Sequence, residues 1–337
     1  MKFPSAAGQV AFRPNHLIEQ QSGNSHSQRV SQETPIENIN DVGKHLKSRK
    51  PIVERITNAG AEIRSSKPSS INFLHSVLCQ VGLPRSCTKD DSFERTNGNV
   101  SLLLRAGSLW TGRGWEKQPL PYGAMPRLVL IHLCSEAVRT NSPVMQLGDS
   151  IRSFLLTIGV DTGGHEYKRF QAQMKALAAC EMRLGIGQTT VQAQPIERFE
   201  AWLHETGKQG TLWPGTLELS LRFYDTLRQF AVPLDPRALG ALRHSALALD
   251  TYTWLAHRLH RVRAAAGAKV SWANLRDQFG QEYSDKKNFK REMWKALIMA
   301  MAVYPEARVE PVEGGILLRQ SPPPIAKEAF PVKTLWS

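Results

Sequence analysis

Apolar residues in this chain fall into stretches with helical spacing, separated by shorter stretches in which they alternate with polar ones. In GGHEYKRFQAQMKALAAC, Gly163 to Cys180, the residues Phe170, Met174 and Leu177 recur at i, i+4 and i+7 and share one helix face. His165, Lys168, Arg169 and Lys175 fall opposite, with small residues such as Ala172 and Ala179 between the bulky ones. Upstream, MPRLVLIHLCSEAVRT carries an apolar stripe through Leu128, Ile131, Leu133 and Val138, and Pro126 suits its first turn. Val144 to Leu147 reads as a short extended segment. Asp149 or Ser150 then caps a helix through Ile151, Phe154 and Leu155, which Gly159 ends. A turn with Gly163 and Gly164 leads into the basic helix. After it, MRLGIGQTTVQAQ and GTLWPGTLELSLRF alternate, with Gly and Pro at the breaks, and read as the strands of one long β-hairpin closed by FYDTLRQF. Helix, short strand, helix, turn, helix, hairpin is the order of a winged helix.

The second half repeats the order. PLDPRALGALRHSALALDTYTWLAHRLHRV is helical from about Pro236. KVSWANLRDQFG supplies a short strand, an N-cap at Ser271 and a helix, with Gly280 in the place of Gly159. DKKNFKREMWKALIMAMAVYP is a second basic helix stopped by Pro305, and ARVEPVEGGILLRQSPPP a shorter hairpin turning at Gly314 and Gly315. Residues 168–177 align over 288–297, sharing Lys175/Lys295, Ala176/Ala296 and Leu177/Leu297, with Met174 and Trp294 as bulky equivalents. Phe289, Met293, Ala296 and Ala300 form the apolar stripe of the second copy. Lys287, Arg291 and Lys295 recur on its far side, with Lys290 adjacent and Lys286 and Asn288 at the helix start. Trp294, at the margin of the basic face, reads as core covering the wing.

The expected fold class is therefore α+β, mainly helical, with two tandem winged-helix domains. Residues 99–231 form the first, residues 232–324 the second, and 325–337 a tail. Residues 1–98 are polar and rich in Ser, Asn and Gln, and read as a largely disordered extension with one or two short helices, INFLHSVLCQVGL (Ile71 to Leu83) being the clearest. Lys44, Lys47, Arg49 and Lys50 make a loose basic cluster there, read as a solvated tail.

Composition narrows the function. The chain has 337 residues with 43 Lys and Arg against 30 Asp and Glu, a net charge of +13, which favours a polyanionic partner. The cysteines Cys79, Cys87, Cys134 and Cys180 are scattered without a CxxC pair, so neither a disulfide framework nor a zinc site is expected. Cys134 and Cys180 read as small buried hydrophobes. There is no apolar run of membrane-spanning length and no signal-peptide core at the N-terminus, so a cytoplasmic location without membrane contact is expected.

A helix entering the major groove needs donors for phosphate and guanine and little bulk. The candidate DNA-binding set is His165, Lys168, Arg169, Ala172 and Lys175 on the first basic helix, and Lys286, Lys287, Asn288, Lys290, Arg291 and Lys295 on the second. Arg169 and Arg291 suit bidentate contacts to guanine, the lysines suit phosphates or base acceptors, and Ala172 allows close approach. Catalysis finds no support. There is no Walker A motif and no G-x-S-x-G elbow. His257 and His260, spaced three apart, lack a third ligand. Asp250 reads as a helix-start or buried polar contact. No cofactor or metal is expected.

Several phrases resemble the plasmid-encoded RepA-type replication initiator proteins: LPYGAMPRLVLIHLCSEAVRT, LGDSIRSFLLTIGVDTGG, HSALALDTYTWLAHRL, VSWANLRDQFG, and NFKREMWKAL followed by VYPEARVE. The resemblance covers roughly Leu120 to Pro324. It implies binding to repeated sites in double-stranded plasmid origin DNA, opening of an adjacent AT-rich region, and recruitment of the host initiator and replicative helicase. It also implies that such proteins repress their own promoter, typically as homodimers. Two other readings stay open: a winged-helix repressor acting at a single operator without an initiation role, and a rolling-circle DNA nickase. The nickase needs a catalytic tyrosine with histidine partners, which Tyr167, Tyr224, Tyr252, Tyr283 and Tyr304 lack.

Overall fold

The computed structural model describes residues 50–146, 150–197 and 216–326. Helix α1 (Lys50–Ser65) is followed by β1 (Asn72–His75), the short α2 (Ser76–Gln80), β2 (Ser92–Asn97), β3 (Val100–Arg105), β4 (Ser108–Trp110) and β5 (Trp115–Lys117). Then come α3 (Ala124–Thr140), β6 (Val144–Gln146), α4 (Ile151–Thr157), α5 (Gly164–Ala179), β7 (Glu181–Ile186), β8 (Thr189–Gln192), β9 (Thr216–Glu218) and α6 (Leu221–Phe230). The remainder is β10 (Ala231–Leu234), α7 (Pro236–Leu242), α8 (Ala246–Arg258), β11 (Ala268–Ser271), α9 (Trp272–Phe279), α10 (Lys286–Ala302), β12 (Val309–Val312) and β13 (Gly315–Leu318). The chain is thus a mixed α/β structure in which helices carry most of the core and the sheets are small.

Helices α3 and α8 are buried on nearly every side, as expected for sequences apolar all round. Helices α2, α7 and α10 pack on α8, and α5 and α6 on α3. Ser150 caps α4 by accepting from the Ser153 N–H, Ser271 caps α9 by accepting from that of Asn274, and Gly159 ends the α4 segment at φ 71°. In the second half β11 pairs with β13, which pairs with β12, around the turn at Gly314. In the first half β6 pairs with β9, and the Glu197 N–H donates to the Glu218 carbonyl, so a segment near 197 runs beside β9.

Three expectations need correction. Residues 50–98 are not a disordered extension. Ile52, Val53, Ile56 and Ile63 give α1 an apolar face, which packs on α7 and α10. Local polarity hid that stripe, because its partners lie far along the chain. The predicted helix from Ile71 is strand first: Asn72–His75 pair antiparallel with Leu234–Ala231, and only then does α2 begin. Such nonlocal ladder bonds override a local helical period. The strand pair also places the 231/232 boundary inside β10. Finally, MRLGIGQTTVQAQ is a tight hairpin of its own, β7 turning at Gly187 into β8, with β7 adding to β3 in the sheet β2-β3-β7-β8. The later strand β9 pairs with β6 instead. Lys44, Lys47 and Arg49, the 1–49 segment, the tail beyond 326 and the expected cap Asp149 lie outside the described residues.

The core contains a charged knot. The Arg127 guanidinium, on α3, donates from Nε to Asp250 Oδ1 and from Nη2 to Asp250 Oδ2, both at 2.7 Å. It also donates to the carbonyls of Leu83 at 2.6 Å, Pro84 at 3.1 Å and Gly123 at 2.6 Å. Both side chains are nearly inaccessible, at 6% and 7% exposure. Asp250 belongs to α8, so one buried pair joins helices from the two halves and holds the 83–84 chain against them. The buried contact expected for Asp250 is this pair. Cys79, Cys134 and Cys180 are buried thiols, and burial pushes Cys134 and Cys180 up to about 12.

Removing one partner of a buried ion pair strands the other charge. Asp250→Ala is therefore expected to lower stability by about 3–5 kcal/mol in urea denaturation; a loss near zero would mean that the three carbonyls alone satisfy Arg127. His75 yields a second expectation. Its Nδ1 accepts from the Val77 N–H at 3.2 Å, which caps α2, and burial pulls its pKa down to about 4. The unfolded imidazole takes a proton near 6.5 and the folded one does not. Stability should then be full above pH 6.5 and fall as pH drops toward 4, by on the order of 3 kcal/mol. His75→Asn keeps a cap acceptor and should flatten that fall; an unchanged profile would assign it to other groups.

Candidate nucleic-acid interface

Helices α5 and α10 hold the basic faces, each after a short helix and a turn. On α5, Phe170, Met174 and Leu177 are buried, while His165, Lys168, Arg169 and Ala172 are exposed and Lys175 is half-buried. On α10, Phe289, Met293 and Ala296 are buried. Lys286, Lys287, Lys290 and Arg291 are exposed, and Asn288 and Lys295 are half-buried. Each helix thus packs its apolar stripe inward and carries its predicted cations outward. Burial matches Phe170 with Phe289 and Met174 with Met293, one residue away from the register the sequence alignment gives. In the buried register Lys168 corresponds to Lys287 and Ala172 to Arg291.

The cations are not equivalent. Arg169 is braced by Glu166, donating from Nη1 at 3.0 and 3.2 Å to its two oxygens, and His165 Nδ1 lies 3.6 Å from the same carboxylate. Arg291 donates to Asn288 Oδ1 at 2.6 Å and to Glu292 Oε1 at 3.1 Å. Lys295 donates to that same Glu292 oxygen at 3.0 Å. Burial alone would raise the Glu292 carboxyl, but the hydrogen bonds and charges of Lys295 and Arg291 hold it below the usual range. The Lys290 ammonium sits 5.3 Å from the Trp272 ring centroid, and Trp272 meets the half-buried Trp294 edge-on at 6.4 Å. Lys168, Lys286 and Lys287 extend without a protein partner among the described residues. The arrangement combines free ammonium groups, suited to phosphates, with guanidinium groups whose direction is preset. Arginine has five donors, so the two bonds holding Arg291 leave others for a base edge.

The two helices are held with unequal firmness. Gly163 caps α5 and has no side chain to offer. Asp285 caps α10, accepting from the N–H groups of Lys287 at 3.0 Å and Asn288 at 3.1 Å. The turn before α10 is braced from the 82–95 region. Glu282 accepts from the Arg85 N–H at 2.5 Å, from Arg85 Nε at 3.1 Å and from the fully buried Arg95 guanidinium at 3.2 Å. The Arg85 guanidinium also covers the Tyr283 ring at 4.0 Å and donates to its hydroxyl at 2.9 Å. A Cβ at Gly280 would lie 2.5 Å from the Phe289 ring, so the turn can close only over glycine.

Sequence reasoning missed Glu282, Arg85, Arg95, Trp272 and Glu292. Only Glu292 left a local signal, an acid at i+1 and i−3 from two cations on one helix. The others act across long separations. His257 is half-buried and pulled down to about 3, first by burial and then by Arg261; His260 Nδ1 lies 3.0 Å from the Ala256 carbonyl. Among the described residues no group of three His, Cys, Asp or Glu side chains is placed to hold a metal, and no helix is long and apolar enough to cross a membrane.

Residues 120–275 match the RepA_C family model, described as plasmid encoded RepA protein. The matched region runs from the segment before α3 into α9, so it includes α5 and stops short of α10. No curated protein sequence matches the chain. Two crystal structures are similar in shape. One, of selenomethionine derivatives of domains 2 and 3 of RctB, has 12% identity and a TM-score of 0.47, covering 72% of this chain and 96% of that one. The other, of RctB domains 2–3, has 11% identity and a TM-score of 0.44, covering 72% and 94%.

Glu282→Ala should cost about 1.5–3 kcal/mol, because Arg85 and Arg95 lose a charged acceptor. It should also speed amide exchange in the first turn of α10. Unchanged exchange at Lys287 and Asn288 would show that the Asp285 cap holds the turn alone.

Proposed function

We propose that this chain is a plasmid replication initiator that reads double-stranded origin DNA at repeated sites through two helix-turn-helix units, with α5 and α10 as the reading helices. The observation that carries the reading is the face of α10: four exposed cations on a capped and externally braced helix, backed by a buried apolar stripe. The match of residues 120–275 to the RepA family supports the initiation role over a repressor with a single operator. The winged-helix description suits the second half, where β11-β13-β12 follows the order expected of a wing. That wing carries Arg308 and Arg319 near its base and Glu313 at its tip, and Arg319 is tied to Glu310 at 2.6 Å. Phosphate contact then falls to the base of the wing, not its tip. Origin opening, recruitment of a host initiator and helicase, promoter repression and dimer formation follow the family reading. We also read the chain as non-catalytic and cytoplasmic.

Two reading helices in one chain make the second contact intramolecular, so two modest readers act as one strong one. In this reading Lys168, Lys286, Lys287 and Lys290 carry phosphate affinity, Arg291 reads a base, and Glu292 orients Arg291 and Lys295. Each phosphate contact removed should reduce the salt slope of binding by about one. Arg291→Ala should cost about 1–3 kcal/mol at one base pair and relax specificity there.

The test is a footprinting titration against the non-coding repeats of the parent plasmid, beside scrambled DNA and the gene's own promoter. A Lys287/Arg291/Lys295 triple alanine variant with native circular dichroism should lose repeat binding. Equal wild-type affinity for repeats and scramble, or undiminished binding by the triple variant, would overturn the reading. Protection of the promoter alone would favour the repressor.

A further inference from the structure

We propose that the β4–β5 hairpin is a docking site for single-stranded nucleic acid, with Trp110 and Trp115 stacking on its bases and Arg113 and Lys117 meeting its phosphates. This site is separate from the α5 and α10 faces and does not require them.

Strand register builds the site. Trp110 pairs with Trp115, Leu109 with Glu116, and Ser108 with Lys117. Side chains alternate across a strand, so both tryptophans share one face with Ser108 and Lys117, while Leu109 and Glu116 take the other. Leu109 is half-buried and packs on the core. That contact fixes which face looks inward, and the tryptophan face is left outward. The acid Glu116 is thereby kept off the aromatic face. Trp110 is 52% and Trp115 72% exposed, with ring centroids 5.7 Å apart at 59°. With both side chains more than half exposed, the pair offers aromatic surface to a stacking base.

The hairpin is rigidly mounted. A Cβ at Gly107 would lie 2.0 Å from the Ala179 carbonyl oxygen, so the base of the hairpin presses on the end of α5. The Gln118 N–H donates back to Gly107 at 2.9 Å, and the Thr111 N–H and hydroxyl both donate to the Gly114 carbonyl at 3.0 Å. At the tip, Arg113 is exposed between two glycines and has no protein partner among the described residues. Lys117 donates to Asp91 at 2.5 Å, but the two side chains are 62% and 67% exposed. Such a surface pair contributes little, and a phosphate can replace Asp91. Two open aromatic faces flanked by cations match a strand of unstacked bases on a phosphate backbone. A duplex does not fit, because its bases already stack on one another.

The experiment uses the full chain and a fluorescein-labelled oligothymidylate of roughly 10–15 nucleotides, within the site sizes of aromatic single-strand binders. Anisotropy gives affinity, and quenching of tryptophan fluorescence reports stacking. Trp110→Ala/Trp115→Ala should weaken oligothymidylate binding roughly tenfold or more, with duplex footprint and melting midpoint unchanged. Trp110→Phe/Trp115→Phe, which keeps two aromatic faces, should retain most of the binding. Undetectable wild-type binding, or equal affinity in the alanine variant, overturns the proposal. So does a variant that keeps its oligothymidylate affinity but sediments as a smaller species, because the patch then joins two copies of this chain. Hairpin-dependent oligothymidylate binding without duplex binding supports this site while overturning the initiator reading.

Discussion

The buried pair of Arg127 and Asp250 is the constraint on which the rest of the structure depends. A guanidinium and a carboxylate removed from water must satisfy nearly every donor and acceptor they carry. Arg127, on α3, does so with one carboxylate from α8 and three carbonyls from the 83–84 segment and Gly123. Those four pieces can occupy only the arrangement that closes the knot. An apolar contact of the same area would tolerate sliding; a bidentate ion pair fixes angle as well as distance.

From that knot the chain reaches the two basic helices by two unlike routes. The region that passes Leu83 and Pro84 continues to Arg85 and Arg95, and both grip Glu282 just before α10. Arg95 is fully buried; burial pulls its guanidinium downward, while the charges of Asp250 and Glu282 oppose that. The start of α10 is therefore coupled electrostatically to the centre of the molecule. Helix α5 is held by its apolar stripe and by Gln173, whose side-chain oxygen accepts from the Tyr122 N–H at 2.7 Å. Its first turn begins at a glycine without a capping side chain. Under the proposed reading, α10 is the preset reader and α5 the more adaptable one.

Much of this was legible from spacing. The stripes of Phe170, Met174 and Leu177 and of Phe289, Met293 and Ala296, the caps at Ser150 and Ser271, and the hairpin at Gly314 follow from short-range periodicity and cap chemistry, and the structure has them. The outward cations follow from the same stripes, since a helix with one buried face must expose the other. What sequence could not reveal is nonlocal. The strand at Asn72–His75 exists because Ala231–Leu234 lies beside it. Helix α1 is held because α7 and α10 complete its apolar face. The pairing of β9 with β6 depends on a contact across some seventy residues. Charge spacing showed where Arg291 and Lys295 are, but not that a single Glu292 oxygen steers both.

Under the proposed reading, one body that links both basic helices changes how tandem contacts work. With a flexible tether, the second contact gains only the local concentration that linker length allows. Here β1 of the early chain pairs with β10, α1 packs on α7 and α10, and the Arg127–Asp250 pair joins α3 to α8. The angle and separation of the two basic faces are then set by the core before any partner is met. Ordering entropy is spent in folding and not again in binding. In that reading the consequence is selectivity for spacing as well as for sequence, because a site with the wrong interval engages only one face. Net charge alone would attract any polyanion; in the proposed reading, a fixed body between two basic faces turns that attraction into recognition.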